Sequence, residues 1–167
     1  TGTAQTLGQL GKTVEFAEAN EIFYDSNVGV LYPGLYQYVQ TRDGATEVPA
    51  RGLVAFWYGD PTNYVVTPDA QDGEIAGIYI NALTEGHYGY IQIEGIASVQ
   101  FDAAQSQATP AVKDLVIQKS GANTADALLG STTITAAIYM RILGKALDAP
   151  VANTISRVEL ISEFLDK

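Results

Sequence analysis

Hydrophobic and polar side chains alternate along much of this chain, most clearly in residues 75–95, IAGIYINALTEGHYGYIQIEG. Ile91 and Ile93 face one side of a predicted strand, and Tyr90 and Glu94 face the other. A short polar turn containing glycine separates this strand from the one before it. The pattern predicts a hairpin in an antiparallel sheet with one packed face and one exposed face.

Further strand-like runs follow one another closely, separated by Gly, Pro, Asn and Asp turn signals. The pattern predicts strands at residues 13–17, 21–24, 35–41, 52–58, 63–67, 96–101, 113–119, 133–143 and 154–161. Residues 123–130 are predicted to form a short helical turn. Short strands at intervals of about a dozen residues predict an all-β fold. We expect a compact antiparallel β-sandwich or barrel-like module with at most one or two short helices.

The organisation of the chain changes at two places. Residues 1–12 contain only Leu7 and Leu10 as large apolar side chains, which predicts an extended N-terminal arm. Residues 13–167 are predicted to form a single β-rich domain. A polar segment at residues 102–112 would join two possible sub-units, 13–101 and 113–167.

The chain also contains a weak internal similarity. Residues 75–95 align without gaps with residues 142–162, and Gly77 then matches Gly144. Two interpretations remain open, either a duplicated β unit or two unrelated hairpins of equal length. Both interpretations favour β structure.

Composition narrows the possible partners and compartments. The chain has 167 residues, a net charge of −10 and no cysteine, so disulfides and thiolate metal sites are excluded. The acidic balance repels phosphate backbones, and we expect no nucleic-acid partner. No run approaches the length of a membrane span, and the first residues lack a signal-peptide pattern. We therefore expect no membrane partner and a product made in the cytoplasm.

The sequence carries no pattern typical of an active site. It has no nucleophile–base pair, phosphate cradle or metal-ligand spacing, which predicts a protein that is not an enzyme and needs no cofactor. His87 is the single histidine and lies in a turn. The acidic loop at residues 69–74 is better explained as a solvated loop than as a calcium site. Trp57, with Tyr64, is either a partly buried core residue or a carbohydrate-stacking platform.

Several motifs resemble those of the capsid decoration (cement or head-fibre) proteins of tailed bacteriophages. These motifs are Trp-Tyr-x-Asp-Pro from Trp57, Val-Val-Thr-x-Asp from Val65, Gly-Tyr-Ile-Gln-Ile-x-Gly-Ile-Ala from Gly89, and ILGKALDAP from Ile142. The resemblance covers residues 52–160 and does not extend to the first fifty residues. It implies a β-rich module on the outer capsid surface of a virion, commonly a homotrimer, which binds the major capsid protein and clamps neighbouring subunits.

The surfaces that would make these contacts can be predicted by residue. In the arm, Leu7 and Leu10 would be the anchors, and the arm would add to an exposed strand edge. Tyrosine is enriched at interfaces, so exposed tyrosine faces would contact the capsid or a second subunit. The predicted contact residues of the domain are Tyr36, Tyr38, Trp57, Tyr88 and Tyr90. A second interpretation of the tyrosines stays open, in which many of these rings close the core of the sandwich. The alternative function is a carbohydrate- or receptor-binding β module on a phage head or tail appendage.

Overall fold

The computed structural model describes residues 10–16, 24–25, 29–30, 32–70, 74–128 and 130–161. The strands within these residues are β1 (Thr13–Phe16), β2 (Tyr24–Asp25), β3 (Gly29–Val30), β4 (Gly34–Thr41), β5 (Val54–Trp57), β6 (Val65–Thr67), β7 (Ile75–Tyr79), β8 (Tyr88–Gln100), β9 (Leu115–Gln118), β10 (Ala125–Ala127), β11 (Ile142–Ala146) and β12 (Ile155–Leu160). One α-helix, α1 (Ala136–Tyr139), and one 3-10 helix, Pro61–Asn63, are also described. The prediction of an all-β fold with barrel character is confirmed.

Five strands close a first barrel, with the order β4-β6-β5-β7-β8 and a return pairing from β8 to β4. The β4–β6 pair is parallel, and every other pair in the ring is antiparallel. β1 adds to the N-terminal half of β4, outside the ring. β2 and β3 form a separate two-stranded sheet.

The second half of the long strand β8 begins a second ring of the same topology. Residues 95–100 pair with β12, and the order continues through β11, β9 and β10. A parallel bridge between Phe101 and Ala125 returns to the end of β8. It corresponds to the parallel β4–β6 pair of the first barrel. We call the two rings the first barrel (residues 34–94) and the second barrel (residues 95–160).

The strand registers of the two barrels agree at most paired positions; an exception is the shift between Leu35 and Tyr36 in the β4–β8 pair, which the β8–β12 pair lacks. Tyr79 lies opposite Ile91 in the first barrel, and Ala146 lies opposite Val158 in the second, each 67 positions later. The bulge in the β5–β7 pair, where Ala76 is the extra residue, recurs in the β9–β11 pair. The agreement includes the gapless alignment of residues 75–95 with 142–162, and it favours a duplicated β unit over two unrelated hairpins.

The glycine pair in that alignment has a shared steric cause. A Cβ on Gly77 would collide with the main-chain oxygen of Gln92, and a Cβ on Gly144 would collide with that of Glu159. The strands therefore approach each other closely at the same point in both barrels.

The two barrels also share a hydrophobic core. The outer faces of β5 and β7 supply Val54 and Phe56, among others, to the cluster that fills the second barrel. Asn123 reinforces the contact, because its main-chain oxygen accepts from Val54 N at 2.7 Å. Its side-chain Nδ2 donates to Pro68 O at 2.9 Å. The second barrel is thus packed against the first rather than tethered to it.

Two local predictions are wrong. Residues 123–130 do not form a helical turn, because 125–127 pair with β9 as β10 and Asp126 is held there by Ser106 N at 2.7 Å. Residues 133–143 are not one strand, because α1 interrupts them before β11 begins at Ile142. The Thr135 side chain caps α1 by accepting from Ile138 N, and the two alanines that follow favour helix.

Candidate interaction surface

A cluster of aromatic rings covers the outer face of β4 and β8. Tyr38 lies opposite Tyr90, with ring centroids 4.9 Å apart in an edge arrangement, and stacks against Tyr88 at 6.1 Å. Only 2% of Tyr38 is exposed, whereas Tyr88 and Tyr90 are half-buried. The accessible part of this cluster therefore belongs to the two β8 tyrosines.

Tyr36 is buried as well, with 1% exposure, and its hydroxyl donates to Tyr32 O at 2.5 Å. The prediction that Tyr36 and Tyr38 lie on an exposed face is wrong. Neighbouring aromatic rings and nearby main chain cover both side chains. Packing of aromatic side chains on the outside of a small barrel stabilises it. Contact with a partner stays a prediction for Tyr88 and Tyr90.

Burial keeps the phenols of β4 neutral. It raises the pKa of Tyr36 to about 12. It also raises the pKa of Tyr38, with smaller contributions from Tyr90 and Tyr88. Desolvation disfavours the charged phenolate form of both β4 tyrosines.

Trp57 and Tyr64 meet edge-on, with ring centroids 6.3 Å apart and planes at 70°. Trp57 is half-buried against the core of the first barrel. A stacking platform for a sugar needs an open ring face, and the edge-on arrangement does not favour one. Asp60 begins the adjoining 3-10 helix, and the hydrogen bonds from Thr62 lower the pKa of its carboxyl.

The predicted arm is described only in part. Leu7 lies outside the described residues, and Leu10 is half-buried. Gly11 N donates to Tyr38 O at 2.8 Å, and Tyr38 N donates to Lys12 O at 3.0 Å. Residues 11 and 12 therefore continue the pairing of β1 along β4, and any arm that extends to a partner lies before them.

Residues 71–73 of the predicted acidic loop lie outside the described residues, whereas Asp69 near its start is tied to the main chain. Asp69 accepts from Thr46 N at 3.0 Å and from Glu47 N at 2.8 Å, and its carboxylate lies 3.4 Å from Arg42 Nη1. Among the residues that the structure describes, no three metal-ligating side chains cluster together. Asp69 thus holds the loop at residues 42–47 against the barrel.

No helix in the described part of the chain is long and apolar enough to cross a membrane.

Charge and exposed apolar side chains differ sharply between the two barrels, which sequence reasoning missed. Residues 34–94 contain eight carboxylates and two cations, whereas residues 95–160 contain five of each. The first barrel therefore has a net charge of −6, and the second has none. Of the large apolar side chains found exposed among the described residues, the first barrel has Val48 and Tyr58, and the second has Val112, Ile134, Tyr139, Met140, Val151 and Ile155. Summing charge over each half of the sequence would have revealed the first of these differences.

No protein-family model and no curated protein matches the chain. Among solved structures, the chain is similar to the head fiber gp8.5 N base of bacteriophage phi29, with a TM-score of 0.49 and 11% sequence identity. The match covers 76% of this chain and 93% of that one. A similarity at this level does not transfer a function.

Proposed function

We propose that this chain is a structural protein of a tailed-phage virion that binds the outer surface of the capsid. It would stabilise the shell by clamping neighbouring major capsid subunits, as a homotrimer, and would catalyse no reaction. The observation that carries the proposal is the difference between the barrels: the first is strongly acidic, and the second is neutral and has most of the exposed large apolar side chains. This asymmetry between the barrels suits a module that has one side against a partner and the other side toward solvent.

The motifs behind the family resemblance lie at positions that build both barrels. The Trp-Tyr-x-Asp-Pro motif ends β5 and begins the 3-10 helix at Pro61. The motif from Gly89 forms the middle of β8, the strand that both barrels share. The ILGKALDAP motif forms β11 and the turn after it. The resemblance therefore extends across both barrels.

The clamping mechanism needs several weak contacts rather than one strong site. Each subunit of a homotrimer would contact the shell separately, and the linked contacts would add through a high effective concentration. The acidic first barrel, turned outward, would keep finished particles apart by charge repulsion. No bond is made or broken in this mechanism.

The direct test is binding to particles of the encoding phage that lack this chain. We expect the purified protein to co-sediment with them and to raise the temperature at which the shells rupture. A protein that stays in the supernatant at saturating concentration would contradict the proposal. Binding to purified glycans instead of shells would favour the carbohydrate-binding alternative.

The arm is tested by removing residues 1–9 only, because Gly11 and Lys12 pair with β4. If the arm contacts the shell, the truncated protein should unfold at nearly the same temperature as the full chain and bind particles more weakly. Unchanged particle binding would contradict a role for the arm.

A further inference from the structure

The connection between the third and fourth strands of the ring differs most between the two barrels. In the first barrel, residues 68–74 join β6 to β7 in seven residues, PDAQDGE. In the second barrel, residues 128–141 join β10 to β11 in fourteen, LLGSTTITAAIYMR. The second connection thus carries an insertion, and it includes α1.

The insertion exposes apolar side chains although it is attached to the barrel. Ile134 is 47% exposed, and Tyr139 and Met140 are each 46% exposed. Arg141 fastens the end of the segment, because its Nη1 donates to Gln118 O at 3.2 Å and its Nε to Ala137 O at 3.3 Å. We call Ile134, Tyr139 and Met140 the insertion patch. Three large apolar side chains exposed within seven residues are more than the single scattered ones that are normal on a protein surface.

The two connections differ in the sign of their charge. Residues 68–74 contain three carboxylates and no cation. Residues 127–147 contain no carboxylate, and their only charged side chains are Arg141 and Lys145. The chain as a whole has a net charge of −10 and would repel a partner surface that carries carboxylates. This acid-free stretch would repel such a surface least.

We infer that the insertion patch is the surface that docks onto the shell, where it meets an apolar protein surface bordered by carboxylates. The inference rests on the proposed function and specifies its contact face. The second barrel then faces the shell, and the first barrel, with its net charge of −6, faces solvent. The apolar side chains supply the buried area, and Arg141 pairs with an acidic border.

The test is the double variant Ile134→Glu with Met140→Glu, and its control is Val48→Glu. Val48 is 70% exposed in the first barrel, so the control adds one glutamate, where the double variant adds two, on a side chain that is at least as accessible. Circular dichroism and thermal unfolding should show both proteins folded, because all three positions are exposed. Co-sedimentation with particles that lack this chain measures binding.

We expect the double variant to bind about ten-fold more weakly or worse, and the control to bind like the parent. Parent binding should also weaken as salt is raised, because charge pairs at a rim are screened. Equal binding by the double variant and the parent would overturn the docking face and leave the proposed function intact. Failure of the parent itself to bind would overturn both.

A second copy of this chain is the competing occupant of the patch. Sedimentation velocity without particles distinguishes it from the shell. We expect the parent and the double variant to sediment alike. A lower oligomeric state for the double variant would mean that the patch joins subunits to each other, which would overturn the shell-docking inference.

Discussion

The two barrels share a topology and a strand register, yet they have different interiors and surfaces. Inside the first barrel, Thr41 and Tyr79 are fully buried, and their hydroxyls have no hydrogen-bond partner within the described structure. Phe101 and Ala146 occupy the corresponding positions of the second barrel. The steric constraint at the paired glycines is common to both barrels, whereas the buried and exposed side chains differ. The shared features therefore concern the backbone of the fold, and the two barrels differ in their side chains.

Among changes that act on the backbone, the largest effect is expected at the paired glycines. Gly144→Ala should destabilise the protein by about 3 kcal/mol or more, because the new Cβ meets main chain that cannot move independently. Gly77→Ala should destabilise it as well, because the new Cβ would lie 2.5 Å from the main-chain oxygen of Gln92. Urea unfolding measures both variants. Gly130→Ala is the control, with open space at the Cβ position, and a Gly144→Ala protein as stable as this control would contradict the shared constraint.

The interiors give the next prediction. Phe101→Ala should cost about 3–5 kcal/mol, because it empties a fully buried position in the second barrel. Tyr79→Phe in the first barrel should be neutral or stabilising, because it removes a buried hydroxyl that has no hydrogen-bond partner in the described structure. Both are measured by thermal and urea unfolding. A large loss of stability in Tyr79→Phe would show that the hydroxyl is satisfied, for example by a buried water.

Alkaline pH should destabilise the first barrel more than the second. Every tyrosine except Tyr139 precedes residue 95. The pKa of Tyr36 is about 12 in the folded protein, whereas an unfolded tyrosine titrates near 10. Between these values the unfolded chain releases the proton and the folded chain keeps it, so stability falls as pH rises from about 10 to 12.

Unfolding followed from pH 8 to 12 should show this loss, and Tyr36→Phe should reduce it. Hydrogen exchange should show the first barrel opening before the second. Tyr58→Phe, at an exposed ring, is the control and should behave like the parent. An alkaline transition that is identical in Tyr36→Phe and the parent would contradict the conclusion that ionisation of Tyr36 contributes to the loss of stability.

The smallest effect is expected at the ion pair of the second barrel. Arg157 donates to Asp148 from Nη2 at 2.6 Å and from Nε at 2.8 Å, and the side-chain hydrogen bond lowers the pKa of Asp148. Its contribution is present above the unfolded pKa of about 4 and is lost as pH falls through the lowered folded value. Both side chains are largely exposed, so Asp148→Asn should shift the urea midpoint only slightly at pH 7. A large shift would mean that the pair is less screened than its exposure implies.

Much of the sheet could be predicted because alternation and turn residues agree along the chain. The predicted strand at 154–161 appears as β12, and Ile91 and Ile93 lie in the core as predicted. β10 was missed because Ala-Asp-Ala has little intrinsic preference for strand, and distant partners such as Ser106 hold it in place. α1 was missed because a capping threonine and two alanines outweigh the apolar alternation around them.

The candidate surface was less predictable. Alternation assigns Tyr36 and Tyr38 to the outer face of β4, and it cannot show that neighbouring rings and chain cover that face. The insertion patch became recognisable only by comparing equivalent connections, which requires the strand pairing. The whole-chain charge of −10 also concealed the neutrality of the second barrel.

Electron cryo-microscopy of the native particle would show directly whether this protein covers the capsid and which barrel contacts it. We expect density for paired barrels on the outer capsid surface, with the second barrel and its insertion patch against the shell and the first barrel toward solvent. Density with the first barrel seated on the shell, or a complete capsid without this chain, would contradict this expectation.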